Sequence, residues 1–462
     1  MATPATPANV ASSPRSALAA PAAPPAAPPA PPAPAPGAPD FDDGFDVCGP
    51  TVLHGVPFAG RGRFSILSHL RAAHSSGGGL FGFMTMRESN KLRVLCREAR
   101  AEVAAFEWMD ASWARPVSYS QNCRVDNDDS RVTGNVAAWR GAFPAARAVN
   151  VSGRKDLRDA DFAHIRGGPG VRLHTVRMAG CSGVTDAAFA HLRGIHTLDV
   201  SWCSQATITD AAFAHLAGIH TLGMRGCSQP TITDAAFAHL RGINTLDMGV
   251  CCQRTITDAA FAHLRGINAL NLYFCQQETI TDAAFAHLRG IHTLSMHFCS
   301  QRTITDAAFA HLQGIYALDM HHCNLETITD AAFAHLQGIH ALDMRYCDQA
   351  MITDAAFAHL RGIHTLNISC CNQVTITDAA FANLAGIHTL RMMGCNQPTI
   401  TDAAFAHLRG IHTLDMFGCD QDTITDAAFA HLRGIVSLSA DGCAPAVIAA
   451  AAALLLARAV KA

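Results

Sequence analysis

Hydrophobic and polar residues follow a pattern that repeats every 24 residues through most of the chain. The string TDAAFA marks each copy, and a diverged copy with Asp159 and Phe162 in the matching positions precedes the others. About twelve copies cover 151–443, and such self-similarity predicts a stacked array of structural units. The Asp of TDAAFA occupies positions 186, 210, 234, 258, 282, 306, 330, 354, 378, 402 and 426.

Each copy begins with the pattern of a short strand. In the copy at 219–240, the apolar residues Leu222 and Met224 lie on either side of Gly223. This alternation is typical of a strand that buries one face. A Cys and a polar turn follow, so we expect one short strand and one turn in every copy.

The second half of each copy has the pattern of a helix. Thr233 and Asp234 precede an Ala-rich run, and either side chain can accept a hydrogen bond from an unpaired N–H at a helix start. Phe237 and Leu240 are three residues apart, which places them on one helix face. Gly242 follows and suits a helix C-terminus.

Seven positions of this copy carry a family resemblance: Ile219, Leu222, Met224, Cys227, Ile232, Phe237 and Leu240. Their spacing resembles a leucine-rich repeat of the cysteine-containing type, in which Cys replaces the usual Asn of the turn. The resemblance implies an α/β fold, a horseshoe-shaped solenoid of about twelve 24-residue strand-turn-helix units. Strands would line its concave side and helices its convex side.

The cysteine and histidine counts follow from the repeat. Twelve of the 17 Cys recur once per copy, a spacing without the tight C-x2-C pairs of zinc sites. We therefore expect buried, reduced thiols in a reducing intracellular compartment, cytoplasm or nucleus, with no metal and no cofactor. Metal or disulfide chemistry is the alternative. Histidine recurs in two further columns, beginning at His191 and His196, and we expect protonation there to loosen the array near pH 5–6.

The copies differ mainly just after the first Leu of the strand, at positions that alternation places on the concave face. Varied side chains on a repeated scaffold form the binding surface of a solenoid, and aromatic residues and Arg are typical anchors. The alternative is free drift of exposed sites after duplication. The expected contacts with a protein partner are Trp202, Arg225, Tyr273, Phe274, His297, Phe298, His321, Arg345, Tyr346, Arg391, Met393 and Phe417.

The segment 40–150 has a different pattern, with two apolar stretches separated by a Gly-rich loop. The start at Val56-Pro57 and the stretches ILSHL and LRVLCREAR resemble a diverged F-box, a helical domain that docks onto a Skp-type adaptor of cullin ubiquitin ligases. The resemblance implies that 56–108 bind such an adaptor; a helical cap for the solenoid is the alternative. The implied docking residues are Val56, Pro57, Ile66, Leu67, Leu70, Leu92, Val94 and Leu95.

Composition excludes several classes of function. A net charge of −3 argues against nucleic-acid binding, and the longest nearly apolar run, 443–457, is shorter than a membrane-spanning helix. We expect a Pro/Ala-rich disordered arm at 1–39 and a capping helix at 444–462. Because catalytic motifs are missing, we expect a non-enzyme. It would recruit substrates to a ubiquitin ligase or, alternatively, serve as a binding scaffold without any link to a ligase.

Overall fold

Thirteen short parallel strands form one sheet, and their order across the sheet is their order along the chain. The computed structural model describes residues 132, 134–166, 173–323 and 325–459. From the third strand onward, each strand residue pairs with the residue 24 positions later, as Leu198 does with Leu222. The predicted solenoid is therefore confirmed. The strands are β1 Ala148–Asn150, β2 Thr175–Arg177, β3 Thr197–Asp199, β4 Thr221–Gly223, β5 Thr245–Asp247, β6 Ala269–Asn271, β7 Thr293–Ser295, β8 Ala317–Asp319, β9 Ala341–Asp343, β10 Thr365–Asn367, β11 Thr389–Arg391, β12 Thr413–Asp415 and β13 Ser437–Ser439.

A helix follows each strand except β12, after which a 3-10 segment takes its place, and in several other repeats a 3-10 turn extends the helix. The helices are α1 Val136–Ala142, α2 Asp159–Ile165, α3 Asp186–Phe189, α4 Asp210–Phe213, α5 Asp234–Phe237, α6 Asp258–Phe261, α7 Asp282–Phe285, α8 Asp306–Phe309, α9 Asp330–Phe333, α10 Asp354–Phe357, α11 Asp378–Phe381, α12 Asp402–Phe405 and α13 Pro445–Ala459. The 3-10 segments are Ala190–Leu192, Ala238–Leu240, Ala334–Leu336, Ala358–Leu360, Ala382–Leu384 and Asp426–His431.

The Thr and Asp that begin each helix also join neighbouring repeats. The Thr305 hydroxyl caps its own helix by accepting from the Ala307 N–H at 3.2 Å. The same Thr donates its N–H and its hydroxyl to the two carboxylate oxygens of Asp282, both at 2.7 Å. Equivalent pairs connect every neighbouring repeat from Asp159–Thr185 to Asp402–Thr425. We call this series the Asp–Thr ladder.

The core is a column of identical side chains. The helix Phe, exemplified by Phe237, is less than 2% exposed in eleven successive repeats. Leu222 of the strand, Met224 directly after the strand and Ile232 before the helix are buried in the same core. Because each unit presents one apolar side to the repeat before it and another to the repeat after it, only an array buries the whole set.

The repeat cysteines are unpaired and buried, as expected. Each thiol donates a hydrogen bond of 2.9 to 3.3 Å to a backbone carbonyl of the preceding repeat, as Cys251 does to Met224. Burial raises the pKa of the Cys203 and Cys299 thiols to about 12, which keeps the donor proton in place. The column therefore satisfies carbonyls that the turn leaves facing the core.

Helices lie against both ends of the described array. Asn135 caps α1 by accepting from the Ala138 N–H at 2.9 Å, and Trp139 and Phe143 are buried against the first repeats. The sheet begins at Ala148, within the segment assigned to the cap from sequence. At the other end, α13 packs against the final 3-10 segment. Among the described residues, no helix combines the length and apolar character required to cross a membrane.

Replacing Asp306 by Ala should destabilise the array by about 2 to 4 kcal/mol, because both hydrogen bonds from Thr329 are lost. Chemical denaturation measures the change. Asp426→Ala is the matched control: the same residue type starts the final 3-10 segment, but no further TDAAFA copy follows it. That variant should lose less than about 1 kcal/mol. Equal losses in the two variants would contradict the ladder's role.

Candidate functional site

The residue directly after the strand Leu caps the turn that follows. In seven repeats this position is Asp or Asn, and its side-chain oxygen accepts from the backbone N–H two residues later at 2.9 to 3.3 Å. This Asx-turn geometry is a structural reason for the Asp and Asn residues in this column, so their presence does not require a binding partner. The capping residues are Asp199, Asp247, Asn271, Asp319, Asp343, Asn367 and Asp415.

Four residues after the strand Leu, the backbone takes a left-handed conformation. Glycine occupies this position at 226, 394, 418 and 442, where it carries no steric penalty. Seven other repeats place a side chain there with φ between 54° and 61°: Trp202, Val250, Phe274, Phe298, His322, Tyr346 and Cys370. Such a conformation costs on the order of 1 to 3 kcal/mol for a residue other than Gly. The glycines in this column were the sequence signal for the backbone state, which the sequence analysis missed.

Four of these strained residues belong to consecutive repeats and form a continuous surface. Phe298 and His322 stack with ring centroids 4.2 Å apart, and His322 stacks on Tyr346 at 4.1 Å. Phe274 lies 6.5 Å from Phe298 in a tilted arrangement. Phe274 is 38% exposed and Tyr346 is 43% exposed. We call Phe274, Phe298, His322 and Tyr346 the aromatic ridge.

A second row of rings lies beside the aromatic ridge. Tyr273 stacks on His297 at 4.3 Å, and His297 stacks on His321 at 4.2 Å with their planes 13° apart. Arg225 reaches across a whole repeat and places its guanidinium 4.4 Å from the centre of the Tyr273 ring. Gly249 lies between them, and a Cβ atom there would approach the Tyr273 Cβ to 3.1 Å.

Asp319 connects the two histidines of this row. Its Oδ1 accepts from His321 Nδ1 at 2.5 Å, and its Oδ2 lies 3.2 Å from His297 Nδ1. The side chain of His321 is 7% exposed and that of His297 is 1% exposed, whereas that of Asp319 is 27% exposed. We call these three residues the His–Asp–His cluster. The sequence does not show this cluster, because it does not indicate that a capping residue contacts the side chains two positions further along in its own repeat and in the preceding one.

Charge in this region is unevenly distributed. Burial opposes ionisation of Asp319, but the hydrogen bonds from His297 and His321 outweigh it and hold its pKa well below the usual range. Burial, together with the negative charge of Asp319, raises the pKa of Asp343 to about 6. Burial also lowers the pKa of His297. Asp319 is therefore the fixed negative charge beneath the open face.

Ser295, His297 and Asp319 do not form a catalytic triad. A triad requires the serine and the carboxylate on opposite ring nitrogens of the histidine. Here the Ser295 hydroxyl lies 2.7 Å from His297 Nδ1, the same nitrogen that faces Asp319. Ser295 also donates to Asp319 at 3.3 Å. This geometry orients the carboxylate and does not activate a nucleophile.

The expected contact residues divide into three groups by exposure. Trp202, Phe274, Tyr346, Met393 and Phe417 are exposed. Arg225, Tyr273, Phe298, Arg345 and Arg391 are half-buried. His297 and His321 are buried and offer almost no area to a partner, because the stacked rings cover them. The eight implied docking residues between Val56 and Leu95 lie outside the described residues.

Histidines before the strands form a separate stack. Neighbouring rings lie 4.2 to 4.6 Å apart, in one run from His174 to His220 and another from His292 to His412 in which Tyr316 takes one place. His196 Nδ1 lies 3.1 Å from the Thr197 hydroxyl. His174 begins the stack and was missed from sequence because its repeat is diverged. The even spacing supports a scaffold role.

Comparison with solved structures identifies the fold. The chain matches Drosophila Toll with a TM-score of 0.51 and 15% identity, over 67% of this chain and 44% of that one. It matches mouse RP105 with a TM-score of 0.50 and 14% identity, over 70% of this chain and 56% of that one. This is a leucine-rich-repeat fold. The chain spans about half the length of those two proteins, and no protein-family model and no curated protein matches it.

Acidification from pH 7.5 to 5 should lower the Tm. Burial and the neighbouring imidazoles of His174 and His220 lower the pKa of His196 in the folded chain. Below about pH 6.5 the unfolded chain therefore binds more protons, so stability is complete above that pH and is lost as the pH falls through it. Thermal melts at several pH values measure the effect.

A matched pair of variants tests the source of this pH dependence. His196→Asn removes one ring from the stack, and Asn occurs in that column at 244 and 268. It should weaken the pH dependence of Tm. His191→Asn makes the same change in the helix column, in which Asn occurs naturally at 383. This variant should leave the pH dependence of Tm unaltered. Melts that are flat between pH 7.5 and 5 would refute the prediction.

Proposed function

We propose that this leucine-rich-repeat protein binds another protein through the open sheet face, with the aromatic ridge as the anchor. One observation carries the proposal. The ridge keeps bulky rings at positions where the backbone favours Gly, although Gly occupies the same position in other repeats of the array. Strain retained in exposed side chains is typical of functional sites.

Exposure and chemistry support the same surface. Phe274 and Tyr346 present aromatic area to solvent, and Arg345, which directly precedes Tyr346, is half-buried. Aromatic residues and Arg are enriched among the residues that dominate binding energies. Toll was solved as a complex with Spatzle and RP105 as a complex with MD-1, so the fold accommodates protein partners in those molecules.

Replacing Phe274 and Tyr346 together by Gly should weaken partner binding at least tenfold and leave the Tm nearly unchanged. The lost ring contacts are offset by relief of the left-handed strain. The measurement is the Kd of a partner captured from cell lysate on the immobilised full chain. Tyr273 is not a suitable target, because it packs against His297 and Arg225.

Val374→Ser is the matched control for this pair. Val374 is 62% exposed and follows the buried Gln373 in the loop before α11, outside the strand and outside the turn position that carries the aromatic ridge. The control should bind with the affinity of the wild type. A partner that binds the Gly variant and the wild type equally would remove the ridge from the interface.

The finer proposal is that the chain is a substrate-recruiting adaptor of a Skp–cullin ubiquitin ligase. It is supported by the F-box-like pattern in 56–108, preceding cysteine-type repeats. The unpaired cysteines among the described residues suit the reducing compartment, cytoplasm or nucleus, in which such ligases act. A binding scaffold without any ligase link is the alternative.

Purified Skp should bind the full chain, and Leu67→Glu with Leu95→Glu should abolish that binding, because charges would enter an apolar docking face. Pull-down with Skp measures the effect. The Phe274→Gly and Tyr346→Gly variant is the control and should retain Skp binding. If a folded wild-type chain does not bind Skp, the adaptor role is refuted and the scaffold alternative stands.

A further inference from the structure

We infer that the His–Asp–His cluster binds one divalent transition-metal ion, with Zn²⁺ as the best fit. His297, Asp319 and His321 each offer one ligand atom, and these three atoms lie within 4.8 Å of one another. Two imidazoles and one carboxylate form a ligand set that suits Zn²⁺, with a water in the fourth position. The inference is independent of the proposed protein partner.

Repeat geometry brings the ligands together. His297 and His321 occupy equivalent positions in adjacent repeats, 24 residues apart, so their rings stack face to face. Asp319 comes from the capping column of the second repeat and lies between their Nδ1 atoms. Three donors from two neighbouring strands therefore converge without any loop rearrangement.

One of the two donor separations at Asp319 is close to that of a bound ion, and the other, from His321 Nδ1 to Asp319 Oδ1 at 2.5 Å, must lengthen on binding. Ligand bonds of about 2.0 to 2.1 Å at tetrahedral angles separate neighbouring donor atoms by about 3.3 Å. His297 Nδ1 and Asp319 Oδ2 are 3.2 Å apart. Binding requires the stacked rings to turn so that their Nδ1 lone pairs converge, and the proton on each Nδ1 moves to Nε2. Both imidazoles then remain neutral.

Surrounding groups hold the carboxylate in position. The Ser295 hydroxyl donates to Asp319 Oδ2 at 3.3 Å, and the backbone N–H of His321 donates to Asp319 Oδ1 at 3.3 Å. Hydrogen bonds of this kind orient metal ligands and strengthen binding. The two histidines are almost fully buried, whereas Asp319 is partly exposed, so the ion and its water would enter from the carboxylate side.

The cysteine column does not compete for the ion. Its thiols are buried, and each donates its proton to a backbone carbonyl, as Cys299 does to Leu272 at 3.2 Å. Metal binding requires the thiolate, and burial raises the pKa of Cys299 to about 12. The expected coordination is therefore nitrogen and oxygen without sulfur.

Titration of the full chain with Zn²⁺ against a chromophoric chelator tests the site. The wild type should bind one tight equivalent, and Asp319→Asn should bind it at least tenfold more weakly. Asn retains the turn-capping oxygen, as at 271 and 367, so the fold should persist. The double variant His297→Gln with His321→Gln should lose the tight equivalent.

The matched control is His340→Gln with His364→Gln. These two rings are also stacked, 4.5 Å apart with a 14° interplanar angle, but they lie in the histidine stack before the strands. This variant should retain the tight equivalent. The inference is overturned if Asp319→Asn binds Zn²⁺ as the wild type does, or if the control loses the tight equivalent equally.

X-ray absorption of the wild-type complex with one equivalent of Zn²⁺ provides a test that needs no variant. Two imidazoles in a nitrogen and oxygen shell at about 2.0 to 2.1 Å would support the site. A sulfur shell at about 2.3 Å, or a shell without imidazole, would overturn it. This readout decides the question even where a variant fails to fold.

Discussion

The in-register stacking of one 24-residue unit on the next is the constraint on which the rest of the structure depends. At the repeated positions each side chain lies against its own copy, so the residue type there must be able to contact itself in a line. Phe, Leu and neutral thiols meet this condition by burial. The Asp at the start of each helix can stack on its own copy because a Thr of the next repeat donates two hydrogen bonds to its carboxylate. These hydrogen bonds stabilise the negative charge of each carboxylate in the column. Repetition thus selects side chains that tolerate self-stacking.

The periodic part of the fold could be predicted from sequence, because a pattern copied many times averages out local ambiguity. The alternation around Leu222, the Thr233 cap and the buried Cys227 all occur where the spacing predicted them. Local backbone geometry was harder. The left-handed position at Phe274 and Tyr346 was hidden, because most copies place side chains where Gly would indicate it.

The candidate sites were only partly predictable, because they depend on contacts between columns. His297 and His321 were selected as exposed contacts, yet stacking buries both. Asp319 was read as one member of a varying column, although it fixes two histidines while capping its own turn. Sequence spacing indicates which residues share a face, but it does not indicate which of them cover one another or share a proton.

The Asp–Thr ladder has a direction, since each Thr donates only to the repeat before it. Any repeat therefore presents an acceptor forward and a donor backward, whichever copy it is. A unit of 24 residues could be inserted or deleted within the array, and each new junction would reproduce the contacts of the old ones. Repeat number is thus not fixed by the contacts at any one junction, although each added unit contributes one more buried interface.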